Sequence, residues 1–397
     1  MIPVEEALAR ILGALPVLPA ESVALPAAHG RVLAEAVAAR RTHPPVAVSA
    51  MDGWAVRAED VAEVPAVLRR IGESQAGGSF PGTVGRMEAV RIFTGAPVPA
   101  GADCIVLQED AAAEGDQVMV REGAAAGTFI RPAGLDFRAG ETLLTAGRRL
   151  RPADIGLAAA MNHPWLTVRR RPRIALLATG DELVRPGEPV GENQIISSNS
   201  LGLAALIAAE GGEAIDLGIA QDNRASLLAL AAGARGADLL VTLGGASVGD
   251  HDLVQKVLGE EGLDLDFWRI AMRPGKPLMF GHIGGIPLLG LPGNPVSSLV
   301  CGLVFLRPAI HRLLGLATGP ASAAMARLGR ALPANDQRQD YLRATLEGKD
   351  GGERVATPFT KQDSSMLSRL SAAGCLVIRP PHAPAAAQGE RVAILEL

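Results

Sequence analysis

Between residues 169 and 315 the chain alternates short apolar runs with stretches of helical periodicity, and that alternation leaves few folds open. Strands are expected over 173–178, 214–220, 239–243 and 267–272, and helices over 201–210, 224–234, 251–261 and 296–314. The strand runs are apolar at nearly every position, not at every second one. Such strands are buried on both faces, so the pattern predicts a three-layer α/β/α domain around a mainly parallel sheet. In open sheets of this kind ligands sit at the carboxyl ends of the strands.

The loops leaving those ends are rich in Gly, Asp, Ser and Pro. Thr179-Gly180-Asp181-Glu182 presents a hydroxyl and two carboxylates, a set that suits a hard cation or a helix cap. Gly244-Gly245-Ala246-Ser247-Val248-Gly249-Asp250-His251-Asp252 lets backbone approach a ligand closely and adds Ser247, Asp250 and Asp252 as polar groups. The stretch 273–298 reads as two Pro-Gly turns bracketing one short strand. Its first turn carries Arg273, Gly275 and Lys276. Its second, Pro292-Gly293-Asn294-Pro295 followed by Val296 and Ser297, is expected to offer free N–H groups at the start of a helix. Oriented donors with a few fixed cations make a pocket for an oxyanion.

At 397 residues the chain exceeds one ordinary core, and about two to four domains are expected. Residues 43–136 are rich in Gly and Pro with short β-type runs, and read as an inserted, mainly β domain. They interrupt an elongated α+β outer segment formed by 1–42 with 137–168. Residues 169–317 form the α/β domain, and 318–397, with strand-like runs at 342–346, 376–378 and 391–395 and a turn at Asp350-Gly351-Gly352, read as a small β-barrel-like domain. A net charge of −4 argues against nucleic acid or anionic membrane as partners. Cys104, Cys301 and Cys375 are far apart and odd in number, as expected of buried thiols in a reducing, cytoplasmic setting. The first twelve residues carry Glu5 and Glu6 with helical spacing, and read as an amphipathic helix, not a signal peptide. No uncharged apolar run reaches the about 18–20 residues of a bilayer span.

In the inserted domain Asp52 lies in an apolar, tightly turned run, Ser49-Ala50-Met51-Asp52-Gly53-Trp54. Thr94, Arg131 and Asp136 stand at further turns. Each on its own reads first as a satisfied turn residue.

Six motifs taken in order carry a resemblance: S-A-M-D-G-W-A-V, I-F-T-G-A-P-V-P-A-G-A-D, T-G-D-E-L-V, G-G-A-S-V-G-D-H-D, R-P-G-K-P and G-L-P-G-N-P-V-S-S. With D-Y-L-R-A and S-S-M-L-S-R-L nearer the C-terminus, the chain resembles the molybdopterin molybdenumtransferase (MoeA) family, and also the C-terminal domain of gephyrin. The resemblance implies molybdenum cofactor biosynthesis: adenylylated molybdopterin and molybdate as substrates, Mg²⁺ as cofactor, insertion of the metal and release of AMP. It implies a homodimer with its active site at the subunit interface, and other cofactor-synthesis proteins as partners. By motif position Asp52, Thr94, Arg131 and Asp136 correspond to functional residues of the inserted domain, and Glu182, Asp252, Lys276, Pro292 and Pro295 to those of the α/β domain. Glu182 and Asp252 are assigned to Mg²⁺ and pyrophosphate, Lys276 with Arg273 to oxyanion charge, and Asp52 and Asp136 to positioning of substrate or water. Thr179, Gly180, Asp181, Gly244, Gly245, Ser247, Gly249, Asp250, Gly275, Gly293, Asn294 and Ser297 complete the expected binding set.

The chain departs from the family pattern at several places. Val46-Ala47-Val48 stands where Phe-Asp-Asn is frequent, Leu135 replaces a Glu, Ser197 an Asp, and Arg273 a Lys. A gephyrin-like scaffold, a catalytically reduced paralogue and a tungstate-inserting enzyme are the competing readings. An enzyme that adenylylates molybdopterin is a further one, disfavoured by the flanking domains.

Overall fold

The computed structural model describes residues 1–245, 253–317, 324–348 and 353–397. The described residues fall into two compact units, one of Met1–Glu21, Gly30–Ala34 and Val168–Leu397, the other of Ser22–His29 and Glu35–Thr167.

The first unit is built on six strands: β1 Arg173–Thr179, β2 Glu213–Ala220, β3 Leu239–Leu243, β4 Asp264–Trp268, β5 Met279–Ile283 and β6 Ile286–Leu291, in the order β2-β1-β3-β6-β5-β4. The pairs β2/β1, β1/β3 and β3/β6 are parallel, while β5 runs against both of its neighbours. Successive side chains of a strand point to opposite faces, and β1 shows why its run is apolar throughout. Ile174, Leu176 and Ala178 enter one core with Leu203 and Ile207 of α2 (Asn199–Ala209) and with Val4, Ala7 and Ile11 of α1 (Val4–Ala14). Ala175 and Leu177 enter the other, with Leu227 of α3 (Arg224–Ala231) and Val254, Val257 and Leu258 of α4 (Leu253–Glu260).

Two expectations need correction. The run after the R-P-G-K-P turn is not one strand but a hairpin, β5 and β6, closed by Gly284 and Gly285 at φ +56° and +79°, which is what a two-residue type I′ connection requires. The strand expected over 267–272 is likewise two pieces. Arg269 takes φ +71°, the sheet strand β4 ends at Trp268, and Met272–Arg273 leaves to pair elsewhere.

After β6 one helical run of 19 residues, Pro295–Leu313, is apolar enough to cross a membrane by length and composition, but it is a core element. It consists of α5 (Pro295–Cys301), a wide π-type stretch (Gly302–Leu306) and α6 (Arg307–Leu313). Val300, Cys301, Phe305, Leu306, Ala309, Ile310 and Leu313 are all fully buried. Pro308 has no N–H to donate one turn back, and the helix widens in the stretch before it.

The C-terminal part of this unit is the expected small barrel. Its strands are β7 Ala324–Leu328, β8 Gln339–Glu347, β9 Val355–Pro358, β10 Cys375–Arg379 and β11 Arg391–Glu396. They close in the order β8-β9-β7-β11-β10 and back to β8. Closure leaves no free edge. Ala326, Ala344, Ala356, Cys375 and Val377 are small enough to fill so narrow an interior. The turn expected at Asp350-Gly351-Gly352 lies outside the described residues.

The second unit, which joins the expected inserted domain 43–136 to part of the expected outer segment, is mainly β. Its largest sheet orders Cys104–Leu107, Gly53–Val56, Glu88–Ile92, Ala66–Ser74, Gln117–Val120 and Ala111–Glu114. Trp54 and Val56 face one core, Ala55, Val90 and Ile105 the other. All three cysteines of the chain are free and buried. Burial pushes the Cys104 thiol up to about 12 and the Cys375 thiol up to about 11, so neither is a nucleophile near neutral pH.

Candidate active site

A cavity of about 590 Å³ opens where β1, β3 and β6 end. Thr179, Gly180, Glu182, Ser197, Asn199, Asp222, Gly244, Gly245, Pro277, Pro292, Gly293, Asn294, Pro295, Ser297 and Ser365 are among its walls. Tight glycines bring the loops together. A Cβ on Gly244 would lie 3.0 Å from the Thr179 carbonyl oxygen, and one on Gly293 would lie 3.6 Å from Gly244 Cα. Gly180, at φ +141°, leaves a seat in which the Glu182 carboxylate lies, 2.4 Å from where a Cβ would be. That carboxylate is exposed and makes no hydrogen bond to a described residue.

Three of the backbone donors near the cavity are spent within the fold. Gly180 N–H donates to Ala220 O (3.1 Å), Gly244 N–H to Leu291 O (3.2 Å) and Val296 N–H to Ser364 O (3.1 Å). Asn294 does not cap its helix; its Nδ2 donates to Ser364 Oγ at 3.0 Å. Asn199 Nδ2 holds Gly293 O at 2.7 Å. Asp181 is tied to Asp222 reciprocally, each backbone N–H donating to the other's carboxylate at 3.4 and 3.0 Å, and only Asp222 lines the cavity.

Of the two cations expected here, one is available. Lys276 is exposed beside the lining residue Pro277, its carbonyl accepts N–H bonds from Ile270 and Leu278 (both 3.1 Å), and its ammonium has no described partner. Arg273 is a correction. Its guanidinium forks onto Asp340, with Nε 2.8 Å from Oδ1 and Nη2 bonded to Oδ2, and it also reaches Asp336 Oδ2 (3.1 Å) and Asn335 Oδ1 (3.2 Å). Carboxylates of the barrel, not the cavity, take its charge. Between the two, Gly275 holds φ +117°, and a Cβ there would sit 2.5 Å from the buried Cys301 Sγ. Gly275→Ala should destabilise the protein by ~2–4 kcal/mol, combining left-handed strain with overpacking. Thermal unfolding of Gly275→Ala alone and with Cys301→Ala checks this: the second change should recover the packing part, and full stability in the single variant would refute the account.

In the other unit the bonds join two of the four expected residues. Thr94 donates to Asp52 Oδ1 from both its hydroxyl and its N–H, at 2.7 Å each. The Thr94 hydroxyl, then its N–H, and then the Arg91 charge hold the Asp52 carboxyl below its ordinary 3.8. Arg91 is itself fixed over Trp54 and Phe93, 5.4 and 5.0 Å from the ring centroids. Arg131 pairs with Val48 in a short ladder and Asp136 N–H donates to His43 O (3.1 Å); both side chains are exposed. A lowered native pKa contributes stability above the unfolded value that is lost as pH falls through the native one. An NMR titration of Asp52 should accordingly show a midpoint below 3.8 that rises in Thr94→Val. An unmoved midpoint would remove Thr94 as the cause.

Three family descriptions match the chain end to end: the MoeA N-terminal region (domain I and II) over residues 2–162, the probable molybdopterin binding domain over 175–312 and the MoeA C-terminal region (domain IV) over 325–397. A molybdopterin molybdenumtransferase of a Nostoc species is 37% identical over 95% of this chain and 88% of its own length. The chain belongs to the molybdopterin molybdenumtransferase (MoeA) family. Molybdopterin molybdenumtransferase 2 of Mycobacterium tuberculosis is 36% identical, covering 95% of each chain. The molybdopterin biosynthesis MoeA protein of Pyrococcus horikoshii has the same fold at TM-score 0.86 and 31% identity, over 100% of this chain and 99% of that one.

In this MoeA-family chain the strand-end loops place Thr179, Gly180, Glu182, Gly244, Gly245, Pro292, Gly293, Asn294, Pro295 and Ser297 around one cavity. Ser247, Gly249, Asp250 and Asp252 lie outside the described residues. Asp222 and Ser365 also line the cavity, outside the expected binding set. Asp222 ends the apolar run 214–220 as Glu182 follows 173–178, and that parallel was the available signal. Ser365 comes from the barrel, and no local pattern could show that it reaches the cavity. For Mg²⁺ the donor chemistry fits in part. Among the described residues no three potential ligands cluster, yet Mg²⁺ commonly takes one or two carboxylates with waters and phosphate oxygens, and Glu182 presents on the cavity wall a carboxylate with no described partner.

Proposed function

We propose that the chain inserts molybdate into adenylylated molybdopterin and cleaves its phosphoanhydride, releasing AMP. The observation that carries this reading is the cavity at the ends of β1, β3 and β6, which combines close backbone approach with a seated carboxylate, and beside whose lining residue Pro277 stands the exposed Lys276. A pyrophosphate-linked pterin and a small oxyanion need those three things. Glu182 would hold Mg²⁺, which when bound screens phosphate charge and polarises the phosphoanhydride. Lys276 supplies charge to the oxyanion from a turn whose carbonyl is doubly bonded. Asp52, held in place by the Thr94 hydroxyl and N–H, orients water or substrate. Positioning and preorganised charge supply most of the catalysis in phosphoryl cleavage.

The reading includes a homodimer with the site at the subunit interface, other cofactor-synthesis proteins as partners, and the division into 1–42 with 137–168, 43–136, 169–317 and 318–397. The three free buried thiols support a reducing, cytoplasmic setting. Incubation with adenylylated molybdopterin should release AMP only when molybdate and Mg²⁺ are both present, and sedimentation should give a dimer. Equal or faster turnover with tungstate would assign the enzyme to that metal. No turnover with either would favour a scaffold.

A further inference from the structure

We propose that the Arg273–Asp340 fork is a positioning device through which the barrel fixes the Lys276 turn at the cavity rim. It deepens the reading of Lys276 given above and rests on it. Met272–Arg273 adds to the barrel as a short parallel strand, Met272 opposite Gln339 and Arg273 opposite Asp340, with Gln339 N–H donating to Ala271 O at 2.9 Å. The fork closes on Asp340, which is 4% exposed.

The acceptors around it are themselves locked. Asn335 Nδ2 donates to the carbonyls of Arg338 (2.8 Å), Pro380 (2.9 Å) and Arg379 (3.1 Å). Asp336 accepts from the Arg338 side chain and N–H at 2.8 and 2.9 Å. Three residues after the fork, the Lys276 carbonyl takes the N–H groups of Ile270 and Leu278. The backbone before Lys276 is therefore registered against the barrel and its carbonyl is tied to the Ile270 and Leu278 amides, while the ammonium has no described partner. Arg273 acts through Lys276 and does not meet substrate. A planar fork defines an angle that a point charge cannot, so lysine at 273 would keep the charge and lose the register. A displacement of about 1 Å in a charged group suffices to cost a reaction heavily.

Arg273→Lys and Asp340→Asn in the full chain test this with two readouts. Hydrogen exchange at the Ile270 and Leu278 amides should speed up by about 10-fold or more in both variants while the amides of β1 and β3 are unchanged. The KM for molybdate in AMP release should rise by about 10-fold or more in both, with the KM for adenylylated molybdopterin unchanged. Unchanged exchange overturns the proposal, as does faster exchange with an unchanged molybdate KM. A defect in Arg273→Lys with native behaviour in Asp340→Asn would instead make Arg273 a direct ligand. Absence of AMP release by the native chain would sink the functional reading and this proposal together, while the exchange result would still report whether the fork holds the turn.

Discussion

Lys276→Ala is expected to slow molybdate-dependent AMP release by ~100-fold or more, the scale at which loss of one oriented electrostatic group is felt in kcat. The magnitude follows from how few charges the described cavity has left to offer. The N–H groups of Gly180, Gly244 and Val296 serve the fold, and Arg273 is held by Asp340 and Asp336. Removing the Lys276 ammonium then leaves an oxyanion without a nearby described cation. Because the side chain is exposed and has no partner among the described residues, the variant should unfold at the native temperature, which separates chemistry from stability. A rate within tenfold of native, about 1.4 kcal/mol, would mean that another group carries the charge.

Asp52→Asn should produce a loss of similar size, ~100-fold or more in kcat, for a different reason. Asparagine preserves the shape and can still accept the Thr94 bonds, so what disappears is the anion. If Asp52 orients water or substrate, the KM for adenylylated molybdopterin should change little while kcat falls. A rise in KM with native kcat would make Asp52 a binding residue. The proposed homodimer with a shared site adds a second readout: mixed assemblies of Asp52→Asn and Lys276→Ala chains should regain part of the native rate that neither shows alone. Failure of exchanged mixtures to recover activity would contradict sharing between copies.

How much of this was legible beforehand depended on whether the signal was local. The β1 and β3 runs are apolar at nearly every position, and the strand-end loops carry their glycines in sequence, so the sheet and most of the cavity wall can be read directly. The β5–β6 hairpin was hidden because thirteen residues read as one apolar stretch, although Gly284-Gly285 marked the reversal. The engagement of Arg273 is hidden for a sharper reason. Its charge is visible locally, but its partner Asp340 lies 67 residues on, and nothing in R-P-G-K-P shows that the Met272–Arg273 strand joins the barrel. Asp181 likewise looked like a free acid until folding brought Asp222 beside it. Sequence displays the donors and acceptors of a site; which of them remain free is settled by long-range pairing.

The most direct test of the central claim follows AMP and molybdenum together in a single turnover. Native chain loaded with one equivalent of adenylylated molybdopterin, given Mg²⁺ and molybdate, should release AMP and gain pterin-bound molybdenum in equal amounts, with neither appearing when molybdate is withheld. AMP release that is independent of molybdate, or molybdenum capture without AMP, would contradict it.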